Sequence, residues 1–280
     1  MKQINNYKTM LEHHWQRDSF VCVGLDSDYQ QLPETLKQGK SVEEALFAFN
    51  RAIIDATHDL VCAYKPNAAF YEAQGDGGLR ALMRTVQYIK EVYPSIPTIL
   101  DAKRADIGST NLGYVQAAFD IIGVDAITVH PYLGKEALAP FLTRAEKGIL
   151  VLVKTSNPGA GEFQDLLVGP AQEPLYQVIA RHVAEQWNAN GNCGIVIGAT
   201  YPEDLRKARA IVGDMPILIP GIGTQGGAVA ATVAAGKNSK GQGMIINASR
   251  GIIFASRGSD FAQAARAATE GLRDEINSYR

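Results

Sequence analysis

Short apolar runs recur along the chain at residues 20–25, 61–65, 98–103, 126–130, 148–154, 194–197, 216–219 and 243–247. They are too short for typical helices and rich in β-branched residues, which predicts strands buried on both faces. Between them lie stretches with the apolar spacing of amphipathic helices. These cover residues 42–60, 79–92, 111–122, 135–145, 175–189, 202–211 and 228–235, with a last one over 261–278. Ser41 followed by Glu44 reads as a capping box, and Asp260 as the N-cap of the last helix. Strand–helix alternation predicts a parallel sheet. Eight such units in about 250 residues predict a (β/α)₈ TIM barrel. A doubly wound open sheet is the other topology the alternation allows. No composition shift or Pro/Ser-rich linker divides the chain. Residues 1–280 therefore read as one α/β domain with a short N-terminal extension over about residues 1–19.

Barrel active sites lie at the carboxyl ends of the strands, so polar residues placed where the apolar runs stop are the candidates. The first run ends at Asp26, the second at Lys65 and Asn67, the fourth at His130. The fifth leads into Lys154, Thr155 and Ser156, the seventh into a glycine-rich loop, and the eighth into Asn247, Ser249 and Arg250. The third is the densest: LDAKRADIGST, residues 100–110, sets Asp101, Lys103 and Asp106 at the spacing D-x-K-x-x-D. Residues two apart share a face of a strand, so Asp101 and Lys103 are expected side by side, with Cα atoms roughly 6–7 Å apart. Charges at that depth are costly unless paired. They form either a structural ion-pair network or reactive machinery. His130 reads as a packing or supporting residue. Lys154 could be a Schiff-base lysine, a reading the array on the third strand disfavours.

The loop from Gly221 through Gly223 to Gly226 matches GxGxxG, but no Asp or Glu occurs from Met215 to Ser259 to hold a dinucleotide ribose. A phosphate cradle fits better, because barrels hold phosphate after their last two strands and Arg250 adds a bidentate cation. A structural glycine turn is the plainer alternative. The net charge of −2 offers nothing to nucleic acid or to an acidic membrane. Three cysteines without a CxxC motif read as buried thiols in a reducing compartment, and no metal site is expected. The N-terminus lacks the apolar core of a signal peptide, and no run of ~18 apolar residues occurs, so a cytoplasmic protein is expected.

DAKRADIGST resembles the signature of the orotidine 5′-phosphate decarboxylase family, and the resemblance runs along nearly the whole chain. The order Asp26, Lys65, Asp101, Lys103, Asp106, Ser156, Gln225, Arg250 is similar to the family's active-site order. The length, the TSNPG segment and the PGIGTQGG loop are most similar to the longer bacterial subfamily. The resemblance implies decarboxylation of orotidine 5′-phosphate to UMP and CO₂, the final step of de novo UMP biosynthesis, with no cofactor. It implies Lys103 as the proton donor to C6, Asp101 against the departing carboxylate, Lys65 holding Asp101, and Asp26 on a ribose hydroxyl. Asp106, with Ile107 and Thr110, is implied to cross a homodimer interface into the neighbour's site. Ser156 is implied to read the pyrimidine edge, while Gln225 and Arg250, with Gly223 in the loop, hold the phosphate. Gly159, Gly161 and the stretch to Gly169 suggest a mobile lid. Ser249 departs from the glycine many relatives carry there.

A Mg²⁺-dependent sugar-phosphate lyase of the same barrel superfamily is the main alternative. It shares D-x-K-x-x-D but carries an acid at the end of the second strand. Here that position is Lys65, whose charge opposes a metal. A non-catalytic phosphate binder is a further alternative, and its natural mark would be a missing catalytic charge.

Overall fold

The computed structural model describes residues 6–222 and 226–280, and the side chains of all of these but Gly226 and Gly227. Eight strands form one sheet: β1 (Val21–Leu25), β2 (Val61–Pro66), β3 (Ile99–Arg104), β4 (Ala126–Val129), β5 (Gly148–Lys154), β6 (Cys193–Ile197), β7 (Ile217–Pro220) and β8 (Met244–Ala248). Their order is β2-β1-β8-β7-β6-β5-β4-β3, and each neighbouring pair is parallel. Two further parallel bridges, Tyr64 with Thr98 and Asn67 with Asp101, join β2 to β3 and close the ring. The Tyr64 N–H donates to the Pro97 carbonyl at 3.1 Å on the same seam. Closure decides between the two topologies: an open doubly wound sheet would leave β2 and β3 as separate edges. Every expected strand is present within one or two residues, because parallel strands covered on both faces must be apolar nearly throughout.

The helices follow the expected order. The capping box is made: Glu44 accepts from the Ser41 N–H at 2.8 Å, and Ser41 Oγ accepts from the Glu44 N–H at 3.3 Å. Asp260 is a correction. It precedes the helix Phe261–Ser278 but makes no cap bond to it, and its carboxylate instead accepts from Ser256 Oγ at 2.6 Å. Besides the short helices Glu34–Lys37, Ala68–Glu72 and Arg250–Ile253, two further features were not expected. Tyr7–Trp15 in the N-terminal extension is a helix lying over the amino end of the barrel. Trp15 Nε1 donates to the Met244 carbonyl at 2.8 Å, and the Tyr7 ring occupies the space a Cβ on Gly148 would need. The loop after β5 carries short helical turns and an antiparallel pair, Leu167–Val168 with Glu173–Pro174. All three cysteines are buried and unpaired. Among the described residues no helix is long and apolar enough to cross a membrane.

Arg209 staples the loops below β7 and β8. Its guanidinium is buried and donates to four carbonyls, those of Gly236, Gly213, Met215 and Gly243, at 2.6–2.8 Å. Burial lowers its pKa to about 10. Replacing it removes a donor from all four carbonyls, of which Gly243 keeps the Ile217 N–H at 2.9 Å, and leaves a cavity behind. Arg209→Met should therefore lose on the order of 3 kcal/mol of unfolding free energy in urea titration, with native circular dichroism retained.

Candidate active site

A cavity of about 710 Å³ opens at the carboxyl ends of β1, β2, β3, β7 and β8. Asp26, Lys65, Asp101, Gly221, Asn247 and Arg250 are among the residues that line it. Asp26, Gly221 and Arg250 stand just past their strands, Lys65 and Asn247 one residue inside theirs, and Asp101 within β3, where side chains can meet in the middle.

Asp101 is the hub. Its Oδ2 accepts from Lys65 Nζ at 3.0 Å, and its Oδ1 accepts from Lys103 Nζ at 2.7 Å and from Thr128 Oγ1 at 2.9 Å. Burial favours the neutral acid, but the two ammonium groups outweigh it and bring the Asp101 pKa down to about 2. Lys65 is buried, with Asp26 Oδ1 also 3.7 Å from its Nζ. Burial works against its charge, and the attraction of Asp101 and Asp26 more than offsets this, so its pKa is raised. Lys103 is different: its side chain is 49% exposed, so its ammonium can meet a ligand while leaning on Asp101.

Asp101 and Lys103 do meet, but not through the regular alternation expected of a strand. The register between β3 and β4 slips between Leu100 and Arg104: Leu100 faces Ile127 and Arg104 faces Val129. Three residues of β3 thus oppose Thr128 alone. This bulge gives Lys103 a positive φ of 47°, a conformation L side chains seldom adopt. The Lys103 N–H, displaced from the ladder, donates to Thr128 Oγ1 at 3.0 Å.

Asp106 does not join the cluster within its own chain. Its loop is pinned elsewhere by buried Asn111, which accepts from the Asp106 N–H at 2.9 Å and donates to its carbonyl at 2.6 Å. Ile107 is 60% exposed and Thr110 lies exposed in the following helical turn. Ser156 is exposed on the rim rather than in the cavity lining; a Cβ on Gly198 would collide with it, and Gly221 faces its hydroxyl. Gly223 and Gln225 lie outside the described residues.

The buried Lys154 ammonium is enclosed. It pairs with Asp165 and with Asp204 at 3.4 Å, and lies 5.1 Å and 5.0 Å from the ring centroids of Tyr176 and Tyr201. A carbonyl has no way to its nitrogen, so the Schiff-base reading fails. Asp165 and Gln164, which accepts from the Thr155 N–H at 2.9 Å, tie the segment after Ser156 to the end of β5.

Thr128 and Asn247 are the polar residues whose part was missed. Thr128 hides inside an apolar run, where threonine reads only as a strand former. Asn247 was visible at a strand end. It is buried, donates weakly to Ser249 Oγ at 3.3 Å, and keeps Oδ1 without a partner. Asp26 Oδ1 likewise has no hydrogen-bond partner. Both residues line the cavity, and Asp26 Oδ1 keeps only the 3.7 Å ion pair with Lys65.

Residues 19–268 match the family described as Orotidine 5'-phosphate decarboxylase / HUMPS. The chain is 49% identical to the orotidine 5′-phosphate decarboxylase of Cellvibrio japonicus, over 96% of this chain and 97% of that one. It is 50% identical to the protein of the same name from Thermomicrobium roseum, over 95% and 92%. Among solved structures, Leishmania donovani OMP decarboxylase superposes with a TM-score of 0.83 at 37% identity, covering 98% of both chains. The UMP synthase of the same organism superposes at 0.84 with 40% identity, covering 98% of this chain and 56% of that one.

The ionisation of Asp101 makes a testable contribution to stability. A carboxylate whose folded pKa is depressed stabilises above its ordinary value and loses that effect as pH falls through the folded one. Asp101→Asn should lower the unfolding free energy by about 2 kcal/mol above pH ~4. The difference from wild type should then shrink as pH falls toward about 2.

Proposed function

This chain belongs to the orotidine 5′-phosphate decarboxylase / HUMPS family and decarboxylates orotidine 5′-phosphate to UMP and CO₂, and we propose that Lys103 is its proton donor. The observation that carries this assignment is the half-exposed Lys103 ammonium held 2.7 Å from the ionised Asp101. The C6–carboxylate bond breaks, CO₂ departs, and the electron pair stays on C6. That carbanion has no electron sink in the ring, so stabilisation must come from charge already in place. Lys103 Nζ supplies it, then gives a proton to C6 and is left as the neutral amine. Asp101 holds the Lys103 ammonium in place by its 2.7 Å hydrogen bond and faces the departing carboxylate.

Lys65 fixes Asp101 from the opposite side. It also occupies the place between Asp26 and Asp101 where the lyase alternative would need a divalent cation. Asp26, which lines the cavity, suits a ribose hydroxyl. Arg250, in the cavity lining just past β8, suits the phosphate together with Gln225 and the loop containing Gly223. Ser156 on the rim suits the pyrimidine edge. The phosphate is remote from the bond that breaks, so its binding energy is available for closing the site and excluding water.

Asp106, Ile107 and Thr110 belong to the same proposal through a homodimer with shared sites. Among the described residues Asp106 makes no ion pair, and the residues that follow it expose apolar surface: Ile107 is 60% exposed and Leu112 61%. Asp106 Oδ1 accepts from the Ile107 N–H at 2.6 Å, and a carboxylate without an ion pair beside such a patch supports an interface. A cytoplasmic location fits three unpaired buried thiols, and the net charge of −2 supports neither a nucleic-acid nor a membrane partner.

Loss of orotidine 5′-phosphate absorbance should proceed without added metal and be unaffected by EDTA; abolition by the chelator would favour the lyase chemistry. Lys103→Ala should lower kcat by about 10³-fold or more while UMP still binds. Near-normal turnover would remove Lys103 from its role. Lys103→Ala and Asp106→Asn subunits, each inactive alone, should on mixing recover up to about a quarter of wild-type activity. Random exchange makes half the dimers mixed, each with one intact site. No recovery despite demonstrated exchange would refute the shared site.

A further inference from the structure

We infer that Thr128 is a positioning residue for this reaction: one buried hydroxyl sets both the Asp101 carboxylate and the backbone from which Lys103 projects. The inference rests on Lys103 and Asp101 acting as proposed above. The hydroxyl has one hydrogen and receives one, and both are committed. Thr128 Oγ1 donates to Asp101 Oδ1 at 2.9 Å and accepts from the Lys103 N–H at 3.0 Å. Lys103 Nζ returns to the same Asp101 oxygen at 2.7 Å. The lysine is thereby held at its backbone and at its tip, in a closed circuit through Thr128 and Asp101.

The need for such a group follows from the bulge. Asp101, Ala102 and Lys103 all stand opposite Thr128, and the Lys103 N–H donates to the Thr128 hydroxyl at 3.0 Å. A buried N–H without a partner is costly, and the Thr128 hydroxyl removes that cost. It also supports Lys103 at φ 47°, which bends the chain so that Lys103 rises from the barrel wall and reaches back to Asp101. Thr128 is 1% exposed and does not line the cavity, so it acts through its neighbours and not on the substrate. Its β-branched shape suits a strand, and valine fills the same volume without the hydroxyl.

The test compares Thr128→Val with Thr128→Ser and wild type. Thr128→Val should lower kcat about ten- to hundredfold, the scale of losing hydrogen bonds to a charged group and a buried amide. KM for orotidine 5′-phosphate and the affinity for UMP should stay within about threefold, since neither depends on the aim of Lys103. Thr128→Ser keeps the hydroxyl and should hold kcat within about threefold of wild type. A wild-type kcat in Thr128→Val overturns the inference, as does an equal loss in Thr128→Ser or a rise in KM that matches the fall in kcat. If Thr128→Val does not fold, Thr128→Ala is read against Thr128→Ser by the same criteria. An active wild type with inactive Lys103→Ala separates the outcome from failure of the proposed mechanism, which would show as a Lys103→Ala variant that still turns over.

Discussion

One buried carboxylate organises the candidate active site. Asp101 accepts from Lys65, Lys103 and Thr128, and each donor comes from a different part of the barrel wall or of the same strand. Two ammonium groups placed this close would repel without it, and Lys65 in particular could not stay charged where water is excluded. Conversely, the carboxylate stays ionised down to about pH 2 only because both ammonium groups are present. The cluster is therefore mutually dependent. Removal of any member leaves a charge or a polar group that the barrel has no other means of satisfying.

The fold supplies what this arrangement requires. Closing the ring brings β2 against β3, and the bridge from Asn67 to Asp101 lies at that seam. Lys65 is thereby delivered to Asp101 from the neighbouring strand. On the other side, the slipped register with β4 places Thr128 under the bulge. Charge fixed before substrate arrives needs no reorganisation when a carbanion forms, which is the condition for electrostatic catalysis without a cofactor. The same scaffold holds apart two tasks. The ionic cluster lies at β2 and β3, whereas Arg250 and Gly221 follow β8 and β7 in the lining of the same cavity.

The second buried lysine shows how strongly surroundings govern chemistry. Lys65 and Lys154 both end barrel strands and both pair with two acids. Lys65 lines the open cavity, while Lys154 is sealed by Tyr176 and Tyr201 and ties down the segment beyond Ser156. Residue type and strand position are alike; access separates them.

The eight strands and their order were legible because strands covered on both faces must be apolar nearly throughout, and that requirement is written locally. Charges ending such strands were legible for the same reason: they interrupt the pattern at Asp26, Lys65, Asp101 and Arg250. The capping box at Ser41 could be read from spacing, while Asp260 could not, since its carboxylate is claimed by Ser256. Thr128, Asn111 and Arg209 were hidden, because a polar residue in a run or on a helix declares no partner until the chain has folded around it. Sequence by itself thus determined the eight alternating strands and helices, the family resemblance and which charges end the strands, while closure into a barrel came from the pairing of β2 with β3. Tertiary structure alone decided the bulge that aims Lys103, the hydroxyl that supports it, and the separation of Asp106 from the cluster. Those depend on register between strands and on contacts distant along the chain, and no local pattern of residues encodes either.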